Sequence, residues 1–141
     1  MSEKENFILD PRLAADTIFV GNLQLCRVLL CNDARFPWII LVPQRARISE
    51  IIDLNENDQQ VLMQEIAQVS EAMRVLLKPD KLNVASLGNI VPQLHVHVIA
   101  RFKEDAAWPN PVWGCGEAQN YHEDIQSRLV SKLRTGLGQA I

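Results

Sequence analysis

Cysteines, excess positive charge and long apolar runs are all scarce in this sequence. Its three cysteines, Cys26, Cys31 and Cys115, are an odd number without a CxxC pair, which indicates neither a disulfide framework nor a zinc knuckle. Lys and Arg total 14 against 17 Asp and Glu, so the chain offers no basic field to a nucleic acid polymer. No apolar run reaches the ~18 residues of a membrane span, and the opening MSEKENF is acidic and polar, unlike a signal peptide. We therefore expect a cytoplasmic protein that has neither a nucleic acid polymer nor a membrane as a partner.

What the sequence does contain is enough apolar material for one core. Hydrophobic residues make up 48% of the 141 residues, and this length suits one domain. The sequence shows no internal repeat, low-complexity tract or linker. We expect a single domain over residues 1–141.

Strand-like segments dominate the first third of the chain. Residues 17–20 predict a strand, residues 21–22 (Gly-Asn) a turn, and residues 23–31, rich in aliphatic side chains, a second strand. Residues 38–43, WIILVP, form a nearly continuous apolar run, which is typical of a strand buried on both faces. Three strands therefore precede the first long helix.

Two helices are predicted from apolar residues that recur at helical spacing. The first covers about residues 55–77, with Asp53 or Asn55 as its N-terminal cap and Pro79 beyond its end. The second lies near the C-terminus. Its apolar positions are Ile125, Leu129, Leu133 and Leu137.

The order of these elements favours an antiparallel α+β domain. Residues 81–87, KLNVASL, return to strand character after the first helix, residues 88–89 (Gly-Asn) predict a turn, and residues 90–102 are again strand-like. Runs of strands separated by a helix, without regular βαβ alternation, are typical of this class. We expect a sheet of about five strands, with the long helix packed on it and the C-terminal helix closing one side.

Two of the three histidines lie in the last strand-like segment, GNIVPQLHVHVIARF, residues 88–102. Side chains alternate along a strand, so Gln93, His95 and His97 share one face and the aliphatic residues between them share the other, the core face. Two neighbouring imidazoles cannot both be buried and charged without a large cost. We therefore expect the histidine face to line a cleft that suits an anionic ligand such as a phosphate. The alternative is a polar face exposed to solvent.

Two chemistries use a His-x-His pair on a strand. In metal ligation both rings bind and a third ligand comes from elsewhere, but Glu104 follows too late for the usual spacing. In nucleophilic catalysis one imidazole attacks phosphorus and forms a covalent intermediate, while its neighbour and local amides neutralise the phosphoryl oxygens.

The segment QLHVHVIAR, residues 93–101, resembles the signature of the histidine-triad (HIT) superfamily, His-φ-His-φ-His-φ-φ with φ apolar, and Gln93 stands at the first histidine position. FPWIILVP, residues 36–43, is similar to the family's Pro-x-His-φ-Leu-φ-φ-Pro strand, and NVASLGN to its Asn-containing strand and glycine turn. The resemblance covers about residues 15–102 and leaves residues 103–141 as a C-terminal extension. It implies a HIT-like fold, a nucleotide or nucleoside-phosphate ligand, a homodimer and no cofactor.

The resemblance also implies roles for individual residues. The middle histidine of the triad is the nucleophile that accepts the nucleotidyl group, which falls on His95, and the last histidine contacts the phosphate, which falls on His97. The family places further residues at the phosphate, the ribose and the base. These positions fall on Asn83 for the phosphate, on Asn32 or Asp33 for the ribose, and on Leu30 and Cys31 for the base.

Three residues depart from the family pattern. Gln93 can form hydrogen bonds but cannot shuttle a proton near neutral pH. Ile39 stands where many members place an additional histidine, and Ile90 stands where many place a Ser or Thr that bonds the phosphate. The nucleophile and its phosphate partner are retained, whereas the proton relay is not.

Four residues outside the triad have two interpretations each. Arg101 and the backbone N–H of Asn89 could contact a phosphate; the alternatives are a surface arginine that ends a strand and ordinary turn chemistry. Trp108 and Trp113 lie in a proline-containing loop, where indoles favour an interface; the alternative is core packing.

The sequence thus predicts an enzyme, a nucleotide phosphohydrolase or nucleotidyl transferase that forms a covalent intermediate on His95, with His97 and Gln93 as its catalytic neighbours. One alternative is a nucleotide-binding protein with little or no turnover. Another is a metal-binding protein that uses the two histidines, although no metal ligand set is assigned.

Overall fold

Five strands and three helices make up residues 6–138, the part of the chain that the computed structural model describes. In chain order they are α1 (Pro11–Asp16), β1 (Thr17–Asn22), β2 (Cys26–Cys31), β3 (Trp38–Pro43), α2 (Glu56–Leu77), β4 (Lys81–Ala85), β5 (Val96–Arg101) and α3 (Glu123–Gly136). The strands form one antiparallel sheet in the order β1-β2-β3-β5-β4. The prediction of an α+β fold with about five antiparallel strands is confirmed.

The β1–β2 hairpin turns later than predicted. β1 continues through the expected turn at residues 21–22, and the chain reverses at residues 23–25. The buried carboxylate of Glu65, on α2, accepts hydrogen bonds from the backbone N–H groups of Leu25 and Cys26 at 2.9 and 2.8 Å. This long-range contact satisfies the donors of the turn, and local turn propensity does not reveal it.

The long helix α2 begins and ends where the sequence predicted. Asn55 is its N-terminal cap, because its side chain accepts a hydrogen bond from the N–H of Asp58 at 2.8 Å. Asp53, the other predicted cap, instead ends a short 3-10 turn. The helix ends at Leu77, and its C-terminal cap Lys78, in the left-handed conformation with φ of 51°, comes one residue before Pro79.

The C-terminal helix α3 is also confirmed, with one difference in its buried face. Leu133 and Leu137 are buried as predicted, but the side chain of Ile125 is 50% exposed and Val130 is buried. Within residues 6–138, no helix has both the length and the apolar character needed to cross a lipid bilayer.

The short helix α1 was not predicted. The Asp10 side chain caps it by accepting a hydrogen bond from the N–H of Arg12 at 2.8 Å, and Pro11 occupies its first position. α1 carries Leu13 into the protein interior and leads directly into β1.

The sheet separates two apolar cores. We call the face covered by α2 and α3 the helix face, and the face covered by residues 7–13 and 107–115 the loop face. Alternation along the fully buried β3 sends Ile39 and Leu41 to the helix face and Trp38 to the loop face. The prediction that this strand is buried on both faces is confirmed.

The last strand begins later than expected, at Val96, so Gln93 and His95 lie in the segment just before it. The predicted alternation nevertheless holds, because the aliphatic residues Leu94, Val96 and Val98 belong to the helix-face core. The two histidines are therefore presented on the loop face.

Candidate active site

His95 is a buried ring with one nitrogen held by the backbone. Its Nδ1 lies 2.7 Å from the carbonyl oxygen of Gln93, and the residue is 6% exposed. A carbonyl only accepts hydrogen bonds, so Nδ1 carries the proton and the lone pair of the neutral ring is on Nε2. His95 thus has the tautomer that leaves Nε2 free to act as a nucleophile.

His97 has the opposite tautomer. The indole N–H of Trp38 donates a hydrogen bond to Nδ1 of His97 at 2.9 Å, so the proton of the neutral ring is on Nε2. Burial, and secondarily the charge of the adjacent His95, lowers the pKa of His97 to about 4. A donor to Nδ1 also favours the neutral form. His97 is therefore a neutral hydrogen-bond donor at physiological pH.

Two tryptophans surround the histidine pair. The His97 ring centroid lies 4.9 Å from that of His95, 5.7 Å from that of Trp38 and 5.0 Å from that of Trp113. Trp113 packs edge-on against both His97 and Trp38 and is 37% exposed. Close aromatic packing holds the His97 ring in one orientation and removes water from one side of it.

The side chain of Gln93 is turned away from a role in proton transfer. Its Oε1 accepts a hydrogen bond from the backbone N–H of Asp10, and its Nε2 donates one to the backbone carbonyl of Ile8, both at 2.8 Å. The amide is thus bonded to the N-terminal segment on both of its polar atoms.

Arg101 is buried, contrary to the expectation of either a phosphate ligand or a surface residue. It is 2% exposed, and its guanidinium donates to the carboxylate of Asp105 at 2.7 and 3.0 Å. It also donates to the Asn83 side-chain oxygen at 2.9 Å and to the carbonyl of Asn110. These bonds engage the guanidinium and the Asn83 oxygen that were expected to reach a phosphate.

Asp33 is likewise bonded within the protein. It holds Arg35 through two side-chain hydrogen bonds of 3.0 and 2.9 Å and is 2% exposed. Burial by itself raises the pKa of Asp33. Hydrogen bonds from Arg35 and from the Gln119 backbone outweigh this effect and hold the pKa below its usual value. The neighbouring Asn32 accepts a hydrogen bond from the Tyr121 N–H at 3.0 Å.

A cleft of about 500 Å³ lies beside this ion pair. Trp38 and Trp113 line it together with Cys31, Asn32 and Asp33, so the cleft reaches the aromatic residues that pack on His97. A larger cavity of about 880 Å³ lies between α2 and α3, on the opposite side of the sheet from the histidines.

Leu30 does not line the cleft. It is 1% exposed and belongs to the helix-face core, whereas the next residue, Cys31, faces the cleft. Successive residues of a strand point to opposite faces, so only one of the two predicted base-contacting residues can do so. Burial raises the pKa of Cys31 to about 12, which keeps the thiol protonated.

The turn before the triad segment lies at the surface. Asn89 and Ile90 are both exposed, and Gly88 supplies the positive φ of 77° that the turn requires.

Comparison with known proteins decides the family. The HIT domain family matches residues 12–104. This chain belongs to the HIT family. Among curated proteins, none matches the sequence significantly.

Three solved structures are highly similar to this HIT protein. A histidine triad protein from Bradyrhizobium japonicum is 49% identical, with a TM-score of 0.92, over 93% of this chain and 98% of that chain. One from Sinorhizobium meliloti is 44% identical, with a TM-score of 0.92, over 94% and 98%. One from Marinobacter aquaeolei is 48% identical, with a TM-score of 0.91, over 94% and 96%.

The sequence analysis of this HIT protein did not single out Trp38, whose indole N–H binds His97. Ile39, at the position of the expected upstream histidine, lies in the helix-face core, while Trp38 faces His97. A buried indole N–H needs an acceptor. This requirement could have indicated that Trp38 binds a polar group such as a histidine ring.

Proposed function

We propose that this HIT protein is a nucleotide hydrolase or nucleotidyl transferase that forms a covalent intermediate on Nε2 of His95. The observation that carries the proposal is the 2.7 Å contact between His95 Nδ1 and the Gln93 carbonyl, because it leaves the lone pair on Nε2. Membership of the HIT family and the neighbouring neutral N–H donor of His97 support the same chemistry.

In the first step, Nε2 of His95 attacks the phosphorus of the nucleotide, and a P–Nε2 bond forms as the bond from phosphorus to the leaving group breaks. The leaving group departs with the electron pair, and the ring acquires a positive charge that the Gln93 carbonyl stabilises through Nδ1–H. Nε2–H of His97 donates to a phosphoryl oxygen. In the second step, water or another acceptor attacks phosphorus, the P–Nε2 bond breaks, and the attacking group loses its proton to solvent.

The arrangement favours substrates with good leaving groups. The amide of Gln93 does not titrate and is bonded to Ile8 and Asp10, and the low pKa of His97 leaves little of its protonated form near neutral pH. A leaving group that departs as a stable anion, such as a nucleoside phosphate, needs no proton donor. Dinucleoside polyphosphates should therefore react faster than alkyl phosphoramidates.

The cleft beside Trp113 is the place that we assign to the nucleoside. Its volume of about 500 Å³ is within the usual range for small-molecule sites. Cys31 and Asn32 line it next to Trp38. The Asp33 carboxylate is engaged by Arg35, so we expect the pair, rather than a free carboxylate, to face the ribose or base.

A nucleotide-binding protein with little turnover is the second candidate. The observation that favours it is the engagement of the Gln93 amide by the N-terminal backbone, since it removes a group that could have assisted the leaving group. For the metal-binding alternative, residues 6–138 contain no group of three or more His, Cys, Asp or Glu side chains placed to hold an ion, so no observation favours it.

The test is covalent trapping. Wild type, His95→Ala and His122→Ala are mixed with a dinucleoside polyphosphate, acid-sensitive P–N bonds are protected by quenching in base, and intact mass is measured. We expect a nucleotidyl adduct on wild type and on His122→Ala, in which only an exposed histidine is changed, and none on His95→Ala. An adduct that persists in His95→Ala overturns the nucleophile. Equilibrium binding without any adduct selects the second candidate.

A further inference from the structure

We propose that Gln93 is a positioning residue that clamps the N-terminal segment against the active site and thereby orients His95. We call residues 7–12 the N-terminal strap. The role of His95 in this inference rests on the proposed function, whereas the clamp itself rests on contacts within the described chain.

The Gln93 amide binds the strap as a neighbouring β-strand would. In a parallel ladder, one residue donates its N–H to a carbonyl and accepts from the N–H two residues further along. Gln93 makes this pair of bonds with its side chain, donating to Ile8 and accepting from Asp10, both at 2.8 Å. The backbone partners also fix which amide atom is oxygen, because a carbonyl cannot donate and an N–H cannot accept.

A histidine cannot make this pair of bonds at the same position. The O and N–H of an amide point side by side toward one strand, whereas the two ring nitrogens of an imidazole diverge across the ring. The glutamine at the first triad position therefore provides a contact that the family's usual residue cannot provide.

The strap has further anchors on either side of the clamp. Asp10 caps α1, and the Arg12 guanidinium donates to the carbonyl of Ile90 at 2.9 Å. Phe7 and Leu9 pack against the loop-face core. The strap thus contacts both ends of the segment from Ile90 to Gln93, which leads directly into His95.

Gln93 connects the strap to the nucleophile through its own backbone. Its side chain is held by the strap, and its carbonyl accepts the Nδ1–H of His95 at 2.7 Å. Releasing the amide frees the residue whose carbonyl selects the His95 tautomer.

The experiment compares two pairs of proteins. Gln93→Met keeps the length of the side chain but removes both hydrogen-bonding groups, and it is compared with wild type. Asp10→Pro removes the N–H that Gln93 accepts from, at a φ of −54° that proline adopts readily. Its matched control is Asp10→Ala, which loses the same carboxylate and helix cap but keeps the N–H.

The readout of orientation is the tautomer of each histidine, from long-range ¹H–¹⁵N correlation spectra at pH 8. We expect wild type and Asp10→Ala to show His95 protonated only on Nδ1, and Gln93→Met and Asp10→Pro to show a mixture. His97 should stay protonated on Nε2 in all four proteins, because its partner is Trp38. A single Nδ1–H tautomer of His95 in both Gln93→Met and Asp10→Pro overturns the clamp.

The readout of chemistry is the rate of adduct formation on His95. Weaker orientation of His95 should slow adduct formation about tenfold in Gln93→Met relative to wild type and in Asp10→Pro relative to Asp10→Ala, with KM nearly unchanged. If wild type forms no adduct but the tautomers shift as expected, the proposed function fails and the clamp stands. If the adduct forms equally fast in all four proteins, the clamp has no role in orienting His95 and the inference fails.

Discussion

Acidification should destabilise the protein through His97. The folded protein holds the pKa of this ring at about 4, whereas an unfolded histidine has a pKa of about 6.5. Between these values the unfolded chain binds more protons than the folded one, so the free energy of unfolding falls as the pH falls. The contribution of the neutral His97 ring to the free energy of unfolding is fully present above about pH 6.5 and is lost progressively toward about pH 4.

The size of the effect follows from the difference between the two pKa values. For a folded pKa of about 4, the free energy of unfolding falls by about 2 kcal/mol between pH 7 and pH 5. The hydrogen bond from Arg101 is the main cause that lowers the pKa of Asp105 to about 2. Protonation of this carboxylate further reduces the free energy of unfolding at lower pH, so the comparison is made above pH 5.

The assay is urea denaturation at several pH values between 7 and 5 for wild type, His97→Asn and His122→Asn. An asparagine oxygen can accept from the Trp38 indole but does not titrate. We expect wild type and the exposed-site control His122→Asn to lose about 2 kcal/mol more than His97→Asn over this range. If His97→Asn loses as much stability as wild type, the low pKa of His97 is wrong, and with it the assignment of this ring as a neutral donor.

Two further predictions concern the loop face. Asp105→Asn should reduce the free energy of unfolding by about 3–5 kcal/mol at pH 7, because Arg101 is 2% exposed and would lose its carboxylate partner. Urea denaturation measures this loss. A loss below about 1 kcal/mol, the scale of a surface ion pair, would contradict the structural role of the pair. We also expect a homodimer in solution, from the family and from the partly exposed Trp113, and light scattering that gives the monomer mass at micromolar concentration would refute it.

Periodic apolar patterns predicted the sheet and both long helices. The apolar run of β3 reflects a strand buried on both faces, and the apolar spacing along α2 reflects a helix buried on one face. Both patterns can be read from neighbouring residues alone. The hairpin turn was misplaced because a carboxylate from α2 satisfies its backbone donors. α1 was missed although Asp10 and Pro11 are an ordinary helix start.

The candidate site was predictable only in part. Alternation along the chain correctly placed His95 and His97 on one face, since it depends on strand geometry alone. The tautomers of these rings could not be predicted, because they depend on the Trp38 indole and the Gln93 carbonyl. The same is true of Arg101 and Asp33, whose charges are engaged by Asp105 and Arg35. The resemblance assigned both Leu30 and Cys31 to the base, but two successive residues of a strand point to opposite faces, and only Cys31 lines the cleft.

The contacts that close the loop face determine when, during synthesis, the cleft can form. Its closing contacts join residues far apart in sequence: Asp10 with Gln93, 83 residues away, Arg35 with Cys115, 80 away, and Asn32 with Tyr121, 89 away. Such contacts form slowly because the intervening chain must first be ordered. Strands β1–β3 and α2 can assemble while the ribosome is still adding residues. The cleft cannot close until Tyr121 can bind Asn32, and the helix face is completed only when α3 (Glu123–Gly136) packs on it. A nascent chain therefore carries its histidines for some time before the cleft beside them can close.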